Sequence, residues 1–314
     1  MSLPVSLNSP DSIAAPPQTF FELRMKMHVA ARQVEDMLEQ ILPQPGGLHR
    51  RVHEAMRYAV FAGGKRLRPF LVLSCTKLFG VESARALRVA AAIEALHTYS
   101  LIHDDLPCMD DDDLRRGRPT THVAFDEATA VLAGDALLTI AFEILSDAAT
   151  HPSADVRCRL VAELAKAAGS AGMVGGQMID MEAVEQPLGY NETVALQRMK
   201  TGALFEFCCA AGAILAEASS ADQDRLRNYA RDFGLLFQIT DDLLDAVGTV
   251  ESAGKAVAKD REQGKATLVS ILGVEGARQE AAALAQRARN ALGPYGPAAD
   301  DLRELPLFLL DRDS

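Results

Sequence analysis

Residues 86–118 read "ALRVAAAIEALHTYSLIHDDLPCMDDDDLRRGR", and the fold turns on how this stretch is read. Its first half is rich in alanine and leucine, which are strong helix formers. Apolar residues there recur at three- and four-residue steps, so a helix is predicted. Pro107 ends or kinks that helix, because its ring clashes with the carbonyl of His103. Asp104 and Asp105 stand before the proline and Asp110 to Asp113 after it, six aspartates within ten residues. Carboxylates at a helix C-terminus oppose the helix dipole. Crowding them there is costly unless a cation relieves the repulsion.

The helical pattern extends in both directions. Periodicity predicts helices at about 20–42, 48–61, 67–79 and 82–105, then 121–149, 153–170, 174–185, 191–217, 221–246, 266–273 and 275–292. Ser83, Asn191 and Ser220 stand where N-caps are expected, and Pro69 is tolerated in a first turn. Strand-like alternation is nearly absent. The fold class is therefore all-α. Residues 1–18, rich in Ser and Pro, form an expected disordered tail, and 19–314 form one large helical domain.

Composition narrows the functional classes. The chain has 314 residues, 48% hydrophobic and 24% charged, with a net charge of -11. That balance suits a globular protein and argues against general nucleic-acid binding, which needs a basic face. The five cysteines, Cys75, Cys108, Cys158, Cys208 and Cys209, include no C-x-x-C pair and are expected to be free thiols. No stretch of 18 residues is wholly apolar, so no membrane span is expected. The N-terminus lacks the features of a signal or transit peptide, which makes the cytoplasm the expected location.

A second acidic group, Asp241, Asp242 and Asp245, ends another long apolar helix, "GLLFQITDDLLD" at 234–245. Asp241 and Asp245 share a helical face. The bend at Pro107 is expected to bring Asp110 back beside Asp104. Hard divalent cations with oxygen ligands suit both groups, and Mg²⁺ completes its shell with water and substrate phosphates. A calcium EF-hand is excluded, since no D-x-D-x-D-G arrangement occurs. Four basic stretches accompany the acids: "GGKRLRP" (63–69), "LRRGRPTTH" (114–122), "RMKTGALFE" (198–206) and "SAGKAVAKDREQGKAT" (252–267). None is a P-loop, because Arg66 stands where Ser or Thr is required. Alone, each is an ordinary solvated run. Together they suit two polyphosphate ligands, one held through metal and one by Arg and Lys. Thr201-Gly202 is where the helix is expected to loosen next to Lys200.

These stretches, with "GGQMIDM" (175–181), resemble the motifs of the trans-prenyltransferases, the polyprenyl diphosphate synthases, in that family's order from about residue 30 onward. The resemblance implies an isoprenoid-synthase-type helical bundle around a deep central cavity, usually a homodimer. It also implies condensation of an allylic diphosphate with isopentenyl diphosphate. By resemblance, Asp104, Asp105, Asp110, Asp241, Asp242 and Asp245 hold Mg²⁺, three ions once allylic diphosphate is bound. Arg115, Lys200, Lys255 and Lys265 grip that diphosphate. Lys65, Arg68, His97 and Arg116 bind isopentenyl diphosphate, Thr201 and Gln238 face the developing cation with their oxygens, and Lys200, Thr201 and Gln238 are the candidate catalytic residues. Gln177 and Asp180 stand behind these groups. Without the resemblance, His97, Tyr99 and Phe61 would be read as core packing.

Product length follows the same line. Tyr99, five positions before Asp104, and Ser100 are expected to meet the growing tail. An aromatic there, with the Pro-containing insertion in the first motif, implies the fifteen-carbon product of farnesyl-type members; the twenty-carbon product is the alternative. A terpene cyclase and a non-catalytic partner subunit are rival readings from other classes. "KATLVS" (265–270) and the non-basic terminus "LLDRDS" (309–314) depart from the family pattern.

Overall fold

The computed structural model describes residues 18–183, 188–251 and 267–311. Residues 1–17 of the expected tail and Lys255, Lys259 and Lys265 lie outside them, while Gln18, placed in that tail by the sequence, begins the first helix. The chain runs through α1 (Gln18–Ile41), α2 (Arg50–Val60), α3 (Leu67–Lys77) and α4 (Ser83–Asp104). A two-residue hairpin follows, β1 (Leu114–Arg115) and β2 (Arg118–Pro119). Then come α5 (Thr121–Ala124), α6 (Glu127–Ser146), α7 (Ala154–Ala168), α8 (Met173–Glu182) and α9 (Tyr190–Gln197). A π-helical turn, Arg198–Gly202, leads into α10 (Ala203–Leu215). The chain ends with α11 (Ser220–Glu251), α12 (Leu268–Ala291), a 3-10 segment (Gly293–Ala299) and α13 (Asp300–Asp311). The fold is all-α, as the periodicity predicts.

The core sits around α4 and α10. Every residue from Val89 to Leu96 is buried, four of them alanines, so neighbouring helices approach α4 closely. α10 buries Leu204, Phe205 and the whole run Phe207 to Leu215. α4 packs on α6, α3, α1, α2 and α10, while α10 packs on α3, α11 and α7. The five cysteines are unpaired.

Four expectations need correction. The helix predicted over 121–149 is two helices, because Asp126 takes an extended backbone and caps α6, its Oδ1 accepting from Thr129 N at 2.7 Å. Ser83 is the first residue of α4 and Glu82 holds the cap position without a side-chain bond. Asn191 lies inside α9, capped at Gly189, whose N–H donates to Glu192 Oε2 at 2.8 Å. Ser219, not Ser220, caps α11 by accepting from Asp222 N. The 3-10 segment and α13 lie beyond the last predicted helix. The loosening at Thr201-Gly202 is present as the π turn, and α12 kinks at Gly273, where the pattern divides. α6 is long and apolar enough to cross a membrane by length and composition, which the sequence reading did not foresee. It packs as a bundle helix, and 44% of its apolar window is buried.

Candidate active site

The first acidic segment folds back over the end of α4. Asp110 N–H donates to Asp104 O at 2.8 Å, Asp111 N–H to Leu106 O at 3.2 Å and Asp112 N–H to Asp105 O at 3.3 Å. The loop thus satisfies carbonyls that a helix end leaves open and sets Asp110 beside Asp104, as expected from Pro107. Burial pushes the Asp104 carboxyl up to about 6, and the Asp110 charge adds to the rise; Lys200 and Arg115 oppose it. Asp105 is nearly fully buried, and Arg115 holds it through Nε at 2.7 Å and Nη2 at 2.6 Å. Burial raises its pKa and this pair partly offsets the rise.

The hairpin after the aspartates carries Arg115 and Arg116. Arg116 and Gly117, its central residues, both have positive φ, 54° and 75°, as a tight two-residue hairpin loop requires. This turn sends Arg116 across to "GGKRLRP", where Nη1 donates to Gly63 O. Lys65, Arg68, His97 and Arg116 then line one pocket of about 480 Å³, together with Phe237 and Asp241. The Arg68 guanidinium lies 4.8 Å from the Phe205 ring centroid, and its Nη1 is 3.4 Å from His97 Nε2. Arg68 Nε is buried without a hydrogen-bond partner, an open donor suited to an anion. Burial, and then the charge of Arg68, hold His97 well below its ordinary pKa, so it is neutral at pH 7. Arg66 also borders this pocket, but it is buried and its guanidinium is bonded to Glu94, Glu35 and Val60 O.

A second cavity, about 600 Å³, adjoins the first and shares Arg68 and His97 with it. Asp104, Lys200, Thr201 and Gln177 line it on the polar side; Tyr99, Ser100, His103, Val131, Met173, Val174, Met178 and Met181 supply most of the remainder. The π turn places Lys200 and Thr201 here. Lys200 Nζ donates to Asp180 Oδ2 at 2.6 Å, and Thr201 Oγ1 to Gln238 Oε1 at 3.1 Å. Gly176 on α8 lets this turn approach, since a Cβ there would lie 2.3 Å from Lys200 N.

The site brings together Lys65, Arg68, His97, Arg116 and Asp241 in one pocket and Asp104, Lys200, Thr201, Tyr99 and Ser100 in the other. It turns Asp105 toward Arg115, and Asp242 accepts from Leu268 N at 3.3 Å. Asp245 is exposed on α11. Among the described residues no three acidic, histidine or cysteine side chains close on one metal-sized point. The donor set nonetheless fits Mg²⁺, an ion that takes one or two carboxylates and fills its shell from phosphate and water. The Asp104–Asp110 pair, two carboxylates set side by side by the fold of the loop, is such a donor set. Sequence reasoning missed His103 and the α8 wall. The i, i+4, i+7 stripe Val174, Met178 and Met181 was the available signal.

The sequence profile described as polyprenyl synthetase matches residues 49–295. The farnesyl diphosphate synthase of Bacillus subtilis is 46% identical over 261 residues, 83% of this chain and 88% of that one. Geranylgeranyl pyrophosphate synthase 4 of Arabidopsis thaliana is 42% identical over 275 residues, 87% of this chain and 73% of that one. The apo crystal structure of an FPP/GFPP synthase from Zymomonas mobilis superposes with a TM-score of 0.84 at 48% identity, covering 92% of this chain and 99% of that one.

Proposed function

The chain belongs to the polyprenyl synthetase family and is a short-chain trans-prenyltransferase, and from that premise we propose that it makes the fifteen-carbon farnesyl diphosphate from isopentenyl diphosphate and dimethylallyl or geranyl diphosphate. The observation that carries this reading is the meeting of two cavities at Arg68 and His97, one basic, the other apolar and lined by Tyr99.

In this reading Lys65, Arg68, His97 and Arg116 hold isopentenyl diphosphate without metal. Lys200, Arg115, Lys255 and Lys265 hold the allylic diphosphate, Lys200 exchanging Asp180 for a phosphate oxygen. Asp104, Asp105, Asp110, Asp241, Asp242 and Asp245 would hold Mg²⁺, with Asp105 and Arg115 giving up their ion pair for the metal and a phosphate oxygen; the bound metal would neutralise the diphosphate charge and improve the leaving group. The allylic C–O bond breaks and its electron pair departs with pyrophosphate. The oxygens of Thr201 and Gln238 stabilise the resulting cation electrostatically. The isopentenyl double bond supplies the electrons of the new C–C bond, and a proton passes to the departed pyrophosphate. The apolar wall keeps water from quenching the cation. Tyr99, only 6% exposed, forms the floor that stops the chain. A homodimer, working in the cytoplasm, is the proposed assembly; the exposed apolar side chains around the cavity, Val131, Leu132, Val174, Met178 and Met181, support a second copy there.

Product sizing tests the reading. The pure protein is incubated with Mg²⁺, labelled isopentenyl diphosphate and each primer, and the dephosphorylated alcohols are separated by length. A fifteen-carbon alcohol is expected from both primers, and a longer one from Tyr99→Ala. A twenty-carbon wild-type product, or an unchanged length in Tyr99→Ala, overturns the floor. Absence of elongation overturns the farnesyl reaction.

A further inference from the structure

Tyr99 and His103 are one helical turn apart on α4 and therefore neighbours on its surface. Their rings meet edge to face, with centroids 5.5 Å apart at 89°, a favoured aromatic geometry. His103 reaches on to α6, where its Nε2 lies 3.1 Å from Val131 O. A carbonyl only accepts, so the proton is on Nε2. The ring fits there because residue 134 is glycine. A Cβ at 134 would lie 2.2 Å from His103 Nε2 and 2.5 Å from Cδ2. Glycine inside a helix is less favourable than alanine, and here it opens a seat for an imidazole. Tyr99, His103 and Val131 all line the 600 Å³ cavity.

We propose that His103, seated against Gly134, is a positioning residue for product length: it backs the Tyr99 ring and holds it as the cavity floor. The inference rests on the prenyl-elongation reading above and adds a second tier to its length control. The floor is then a stack running from α6 through His103 to Tyr99. A group added at 134 lifts the His103 ring off α6 toward the cavity and shortens the space for the tail. Loss of the imidazole lets Tyr99 swing back into the vacated seat and lengthens that space.

The test compares wild type, Gly134→Ala, His103→Ala and the double variant, with dimethylallyl diphosphate, labelled isopentenyl diphosphate and Mg²⁺. The readout is the ratio of alcohol lengths, which is independent of total turnover. That matters because His103 adjoins Asp104. Gly134→Ala is expected to shift the distribution toward shorter alcohols by about tenfold, the scale of one methylene of mismatch in an apolar pocket. His103→Ala shifts it toward longer ones. In the double variant the added methyl has no ring to displace, so its distribution matches that of His103→Ala. That non-additivity separates a stacked floor from two independent structural effects. If the Gly134→Ala protein does not fold, His103→Ala alone carries the test, and an unchanged distribution in it overturns the proposal. An unchanged distribution in Gly134→Ala overturns it as well. So does a shortening of equal size with and without His103. Wild type that does not elongate at all overturns the reading beneath it instead, and the two failures are distinct.

Discussion

Arg66 and Arg68, two positions apart in "GGKRLRP", have opposite functions. Arg66 is 4% exposed, has a φ of 47° and bonds Glu94, Glu35 and Val60 O. Glu94 is itself 2% exposed on α4. Removing one partner of such a pair leaves a buried charge uncompensated, which typically costs about 3–5 kcal/mol. Arg66→Leu is therefore expected to lower the urea midpoint by that order of free energy. Arg68 instead lines both cavities, its guanidinium over the Phe205 ring and 3.4 Å from His97 Nε2, and its Nε, like that of Arg66, is buried without a hydrogen-bond partner. Arg68→Ala is expected to raise the KM for isopentenyl diphosphate by about tenfold or more, the worth of a hydrogen bond to a charged group, with a smaller change in urea midpoint. Equal stability losses in the two variants would defeat this division. Charge alone did not divide the basic stretches; the family resemblance did, assigning Arg68 and not Arg66 to a diphosphate. What separates the two arginines is their partners: Arg66 is bonded to Glu94, Glu35 and Val60 O, contacts from residues distant in sequence. Asp105 is a similar case. Its spacing offers it to a metal beside Asp104, and its ion pair with Arg115 was not legible in the sequence.

Helix boundaries show what periodicity can and cannot carry. The long helices are legible because buried apolar stripes repeat over several turns. α13 is absent from the pattern because Pro306 stands in its interior, where it removes the bond to the carbonyl four residues back. That carbonyl belongs to Leu302, and the Tyr229 hydroxyl donates to it at 2.9 Å. A partner 73 residues away makes the helix possible, and no local rule could supply it. Tyr229 is fully buried, so Tyr229→Phe strands a buried acceptor. It is expected to lower stability by about 1–3 kcal/mol with product length unchanged, as measured by chemical denaturation alongside the product assay; an unaltered midpoint counts against this account of α13. The break between α5 and α6 was legible from Asp126 alone, a good N-cap residue. Thr129 N–H, then Arg51 and the Thr129 hydroxyl, hold its pKa at about 2, below the ordinary 3.8. A depressed carboxylate contributes stability above its unfolded pKa and loses it as pH falls through the folded one. Asp126→Ala should thus melt below wild type at neutral pH, and the gap should close as pH falls from 3.8 toward about 2. A gap that persists at the acid end would show that the cap charge is not its source.

At the scale of the molecule, the site is a junction between a charged end and an apolar interior. α4 and α11 deliver aspartates to that junction, α3 and the hairpin deliver arginines, and the π turn delivers Lys200. These groups were legible because polyphosphate chemistry demands many like charges, and such clusters stand out in a sequence with a net charge of -11. The apolar wall was less legible, since methionines on α8 look like any core stripe. Their position gives the last prediction. Leu132 is 59% exposed on α6 and Met178 55% exposed on α8. Val131 on α6 and Met178 on α8 line the same cavity. Exposed apolar side chains gathered beside one cavity favour association on a folded protein, and a closed pair with twofold symmetry is the commonest solution. A second copy across α6 and α8 would cover the outer wall and exclude water from the cation. The wild-type chain, 33.8 kDa, is therefore expected to sediment at twice its mass. Leu132→Glu places a charge in that seam without touching the diphosphate groups, so it should shift the equilibrium toward monomer. Elongation should fall with the dimer fraction, and dilution of the variant should deepen the loss. Wild type that sediments as a fully active monomer at assay concentration would mean that this chain closes its own cavity.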